Sequence, residues 1–154
     1  MSKLIYLIPL WRGCKDFLIK SPQIVQNKAA RIVTRLYVYT PTTTLLKQCG
    51  WMSVSQLAFY HTVVLLYKVK HSQQPRYLFS MISSAENSRY GARSGQAGKL
   101  RATGQIPKQA VNWNSFKWRS VRCWNLLPYE LRHCEDILNF KKSLKTWVQD
   151  NINT

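Results

Sequence analysis

"SVSQLAFYHTVVLLYKVKHS", residues 53–72, decides the fold. Ser53 and Gln56 stand three apart at its start, the spacing of a capping box, in which each side chain satisfies the other residue's backbone N–H. No glycine or proline follows until Pro75. Val63 to Tyr67 is apolar on nearly every side of a helix, and a helix apolar all round belongs at the centre of a core. His61 shares the face of Leu57, Val64 and Leu65, so it reads as a core or boundary histidine rather than a ligand or a base.

Upstream, Ser21-Pro22 has the form of an N-cap with proline at the first helical position, where the missing N–H costs nothing. Val25, Ala29, Ile32 and Leu36 then recur at helical spacing and predict a buried stripe. Lys28, Arg31 and Arg35 fall on another face of the same helix. Thr40-Pro41 repeats the start signal, and Gly50 suits the left-handed stop that ends a helix after Leu45, Leu46 and Cys49. "LIYLIPLW" near the start is far short of the ~20 apolar residues that span a bilayer. No small-residue cleavage site follows it, so it reads as a core segment. Its abrupt beginning suggests a piece of something longer, and we expect it to lack its packing partner.

Downstream of "PRYLFSMI", a short helix or turn, residues 83–114 break the pattern. Four of the six glycines lie there, and a long stretch without helical periodicity is usually functional or disordered. Lys99 to Ile106 is the one candidate for an extended piece; most of the rest is expected to be mobile. Ser115 then opens a helix that Pro128 ends. Trp118, Val121 and Trp124 form its inner stripe, with Lys117, Arg119 and Arg122 outside it. Asp136 caps a last helix that buries Ile137, Phe140, Leu144 and Trp147 and leaves Lys141, Lys142 and Lys145 off the stripe. The fold expected is mainly α: one domain, a small bundle of about five helices with a long Gly-rich irregular loop. Residues 1–82 form an N-terminal helical part, 83–114 the loop, and 115–154 a C-terminal helical part packed on the first.

Twenty-three Lys and Arg against six Asp and Glu give a formal charge of +17. Such an excess costs self-repulsion in the folded state, and a polyanionic partner is its natural explanation. The charge is not a tail. Residues 1–82 hold 11 basic and 1 acidic side chain, and they are also rich in Leu, Ile and Val. A disordered basic arm would concentrate charge where apolar residues are scarce; here it rides on folded helices. Lys28, Arg31, Arg35, Lys117, Arg119, Arg122, Lys141, Lys142 and Lys145 are the candidate nucleic-acid contacts.

Chemistry finds no footing. Cys14, Cys49, Cys123 and Cys134 contain no C-x₂₋₄-C pair, and His133 beside Cys134 is a lone adjacency, so no zinc site is expected. Reduced, partly buried thiols of an intracellular protein are the better reading. Glu135-Asp136 at a helix start reads as capping and dipole compensation. No paired aspartates of the YxDD kind, Walker loop, HExxH or nucleophile elbow occurs. No catalytic residue, metal, cofactor or small-molecule substrate is expected.

The stretch "IVQNKAARIVTRLYVYTPTTTLLKQCGWMSVSQLAFYHTVVLLYKVKHSQQPRYL" resembles the segment downstream of the polymerase core in LINE-type non-LTR retrotransposon reverse transcriptases. Its pieces are a "QNKAAR" helix, a "TPTTTLLKQCGW" connector and a "YHTVVLLYKV…PRYL" helix. After the Gly-rich stretch comes a terminus matched by Phe116, Trp124 to Arg132 and Phe140 to Trp147. The likeness runs from about residue 4 to 149, five pieces in order. It implies a C-terminal, thumb-side region of an RNA-directed DNA polymerase without the palm carboxylates that would hold two metal ions, hence not an enzyme by itself. The Cys/His knuckle that some such elements carry is missing too. The partners implied are RNA or an RNA–DNA hybrid, bound non-specifically, and the polymerase core of the parent protein; no membrane is expected. The alternative is a non-catalytic scaffold that only packs against that core or another protein, with Lys28, Arg31 and Arg35 an ordinary solvated face.

Overall fold

The computed structural model describes residues 8–11, 16–84, 98–104 and 115–152. Its elements in chain order are α1 (Ile8–Trp11), α2 (Asp16–Thr34), α3 (Thr42–Cys49), α4 (Val54–Ser72), α5 (Arg76–Phe79), β1 (Ile82–Ser84), β2 (Leu100–Ala102), α6 (Phe116–Asn125), α7 (Tyr129–Arg132) and α8 (Ile137–Asn151). The chain is mainly α, as its periodicities imply, with one small antiparallel sheet that pairs Ile82 with Ala102 and Ser84 with Leu100.

α4 is the axis. Ser53 Oγ accepts from the Gln56 N–H and Gln56 Oε1 from the Ser53 N–H, the reciprocal cap written in the sequence. Packing of α1, α2, α5, α6 and α8 around α4 explains why its run from Val63 is apolar on every side. The main core joins Val63, Leu66 and Val69 of α4 to Val121 and Trp124 of α6 and to Phe140, Leu144 and Val148 of α8. Each such side chain taken out of water is worth about 1.5–3 kcal/mol. Tyr67 stacks on Phe140 with ring centres 4.2 Å apart, and its hydroxyl donates to the Glu135 carbonyl, which ties α4 to the start of α8. Asp136 caps α8 by accepting from the N–H groups of Leu138 and Asn139.

Gly50 ends α3 at φ +65°, and the Trp51 N–H reaches back to the Leu46 carbonyl in the paired closure that a left-handed residue permits. A Cβ there would cost roughly 1–2 kcal/mol of backbone strain.

Four expectations need correction. α2 does not begin at Ser21-Pro22; it starts at Asp16 and carries Pro22 inside it. Its buried face is not Val25–Ala29–Ile32: Val25 is 57% and Ile32 79% exposed, while Gln26 and Ala30 are buried. The inward face is held by amides. Gln26 Nε2 donates to the Met52 carbonyl, Gln23 Oε1 accepts from the Val54 N–H, and Asn27 Nδ2 donates to Thr42 Oγ1. Ile8 of "LIYLIPLW" has a partner after all, packing against Val54 and Ala58 of α4. Ile137 and Trp147 are half-buried, the indole lying over Phe59, and Val148 takes the buried place on α8. The extended piece sought at Lys99 to Ile106 is β2. Most of the stretch expected to be mobile, residues 85–97 and 105–114, lies outside the described residues, as does Cys14.

Candidate nucleic-acid interface

α6 sorts its side chains by where they can reach. Val121 and Trp124 face the core. Trp124 has no exposed surface; its ring lies 6.1 Å from that of Phe140, its Nε1 donates to the Gly98 carbonyl at 2.8 Å, and Lys70 Nζ stands 5.2 Å from its centre. A ring enclosed on these sides has no face to offer a base. Trp118, expected in the same stripe, is only half-buried, with Lys117 Nζ 5.6 Å from its ring centre.

A strand lies along this helix. Asn125 Oδ1 accepts from the Leu100 N–H and its Nδ2 donates to the Leu100 carbonyl, both at 2.9 Å, so one amide stands in for the neighbouring strand that β2 lacks. Farther along, Lys117 Nζ sits close over Gly104, where a Cβ would approach it to 3.3 Å. At the other end, Gly98 is held under Trp124 and packed so tightly on His133 that a Cβ would come within 2.7 Å of the ring. The alternation of β2 buries Leu100 and exposes Arg101, and places Lys99 on the same side as Arg101. The strand that carries Lys99 and Arg101 therefore lies against the helix that carries Lys117, Trp118 and Arg122.

The residues named from sequence fall into three sets on three helices, each packed on α4. On α2, Lys28 is exposed and Arg31 half-buried with its Nε enclosed, and Arg35 closes the helix in the left-handed conformation at φ +54°. On α6, Lys117 is half-buried and Arg122 exposed. Arg119 does not share the open face expected for it beside Arg122: it is half-buried and donates from Nη2 to the Pro9 carbonyl, fastening α1 to α6. On α8, Lys142 and Lys145 are exposed and Lys141 half-buried. Lys99 and Arg101 are additions. Their signal was the period-two alternation of "KLRA", basic and apolar in turn, inside a stretch otherwise without pattern.

Among the described residues, the titratable groups that shift do so first through burial. Burial pushes the His61 imidazole down and the Tyr60 hydroxyl up. His71, stacked on Tyr67 at 4.2 Å, is lowered by desolvation and then by Lys70, against the opposing pull of Glu135. Tyr67 is raised by burial first and then by Cys134, Asp136 and Glu135. Among the described residues no three His, Cys, Asp or Glu side chains converge as a metal site would need, and no helix is long and apolar enough to cross a membrane. Cys49, Cys123 and Cys134 are half-buried and form no disulfide with one another.

Compared with protein-family models, curated proteins and solved structures, the chain matches none.

Proposed function

We propose that this chain is a nucleic-acid-contacting region that holds single-stranded RNA or an RNA–DNA hybrid along the edge formed by β2 and α6, without reading sequence. The observation that carries this reading is the joining of Lys99 and Arg101 to Lys117, Trp118 and Arg122 by the Asn125 clamp, in a protein of charge +17. Cations on a rigid strand and helix can follow a phosphate track, with the partly exposed Trp118 beside them. Lys142 and Lys145 of α8 are exposed cations as well. The likeness of "QNKAAR", "YHTVVLLYKV…PRYL" and the C-terminal tryptophan segment to non-LTR retrotransposon reverse transcriptases supports this reading, with the chain on the thumb side of such a polymerase, where it would grip template and primer for the catalytic core. The competing reading, a scaffold without RNA contacts, draws support from the apolar outer face of α2.

The deciding experiment is a titration of the folded protein with a single-stranded RNA oligonucleotide over a series of salt concentrations. Each neutralised phosphate of a single strand contributes about 0.7 to the salt slope through released counterions, so six contacts lower affinity roughly 300-fold between ~50 and ~200 mM salt. Oligonucleotides of different sequence should bind within a few-fold of one another. Folded protein that binds no RNA at low salt leaves the scaffold reading in its place.

A further inference from the structure

α2 is an amphipathic helix folded with its polar side inward. Gln23, Gln26 and Asn27 spend their amides on α3, on α4 and on Met52 in the link between them, and Ala30 is wholly buried beside Leu45 and Leu46. At the helical advance per residue, Val25 and Ile32 stand almost in line on the opposite side, with the small Ala29 between them and Ile24 and Val33 to either side. All four large side chains are more than half exposed. Just beyond the helix end, Tyr37, Val38 and Tyr39 are also open. Four large apolar side chains open on one helix face make the kind of exposed patch that marks an interaction site.

We infer that the outer face of α2 is a docking surface for an amphipathic protein helix whose apolar ridge is bordered by carboxylates. Charge selects the partner. Lys28 and Arg31 lie along one border of the stripe, Arg35 follows just past the helix end, and no Asp or Glu occurs from residue 17 to 85, so nothing on this chain's neighbouring sequence supplies their counter-charge. Shape selects a helix over other anions. Branched Ile and Val at seven-residue spacing around an alanine make the ridge and hole of helix packing. The helix face itself, Ile24, Val25, Ile32 and Val33, carries no ring on which a base could stack. Helices that lie on anionic lipid favour Trp, Phe and Leu on the buried side. A second copy packed antiparallel would set the same cations against one another, and in either orientation its α2 from Phe17 onward brings no carboxylate to meet them. This surface is separate from the β2–α6 edge and does not depend on RNA binding there.

The test uses the full chain and a synthetic helical peptide of about 20 residues, a Leu/Ile ridge bordered by Glu, with a Lys-bordered twin, followed by fluorescence anisotropy. The Glu-bordered peptide should bind and its twin should not. Ile32→Asp should weaken binding about tenfold or more, as loss of a central apolar anchor does. Reversing the border with Lys28→Glu and Arg35→Glu should transfer preference to the Lys-bordered twin, and RNA affinity of Ile32→Asp should stay at the parent value. Circular dichroism melts establish that each variant is folded. Equal binding of both peptides, no binding by about 200 µM peptide, sedimentation of the chain with phosphatidylserine vesicles that Ile32→Asp abolishes, or a homodimer that Ile32→Asp dissociates would each overturn the assignment.

Discussion

Replacing Trp124 with alanine removes a ring with no exposed surface from between α4, α6 and α8. Large-to-small changes at such sites cost about 3–5 kcal/mol. The Gly98 carbonyl, which receives the indole N–H at 2.8 Å, adds about 1–3 kcal/mol if it stays buried without a donor. Against a typical total of about 5–15 kcal/mol, that is a large share of the stability. For a chain of this length each kcal/mol moves the melting point by about 2–4 °C, so the ring term alone lowers Tm by roughly 6–20 °C. Trp124→Phe separates the two terms: it keeps a ring and removes the donor, with an expected loss of about 1–3 kcal/mol. Circular dichroism melts and urea titrations on the three proteins, paired with RNA titrations below the lowest Tm, give both readouts. A Trp124→Ala variant that melts with the parent yet loses RNA binding would refute the reasoning. The ring would then be a stacking platform, and core and site would have been interchanged.

Asn125→Ala should release β2 from α6, speeding hydrogen exchange at Leu100 and its neighbours and weakening RNA binding, at a cost of about 1–3 kcal/mol for the unpaired Leu100 groups. Arg119→Ala should lose about 1.5–3 kcal/mol through its bond to the Pro9 carbonyl, whereas Arg122→Ala should leave the melt unchanged and weaken RNA binding alike for all sequences. The pH dependence has a definite sign. His61 is held below its ordinary pKa by burial, so the unfolded chain takes up a proton more readily than the folded one. Its contribution is fully present above the unfolded value of about 6.5 and is lost as pH falls through the folded value. Chemical denaturation between about pH 7.5 and pH 5.5, one unit either side of that value, should show stability falling with acid, and His61→Gln should flatten the fall.

The sequence announces what is local. Ser53 with Gln56, Gly50 and Asp136 each act within one turn of chain, and each is found doing so. The stripe of α8 through Phe140 and Leu144 and the all-round apolarity of α4 were legible because a core rewards the same side chains wherever its partners come from. α2 was misread for the converse reason. Its inward face is chosen by three amides that meet Met52, Val54 and Thr42, partners fixed by the path of α3 and α4, while the hydrophobic period points the other way. The candidate site divides likewise. Lys117 and Arg122 could be named from their helix, but that they share an edge with Lys99 and Arg101 depends on Asn125 reaching a strand 25 residues earlier in the chain. Arg119 went astray because Pro9, its acceptor, lies 110 residues away.

The most direct measurement of the central claim is the salt dependence of single-stranded RNA affinity for the parent chain, for Arg101→Ala with Arg122→Ala, and for the control pair Lys68→Ala with Arg76→Ala. Both pairs remove two exposed cations and leave the same net charge. If RNA follows the β2–α6 edge, the first pair should lower the slope of log affinity against log salt by roughly 1.4, about 0.7 for each phosphate of a single strand that is no longer neutralised, while the control stays near the parent. Equal slopes for the two pairs would mean that the bound RNA reads only overall charge, and the edge would not be its site.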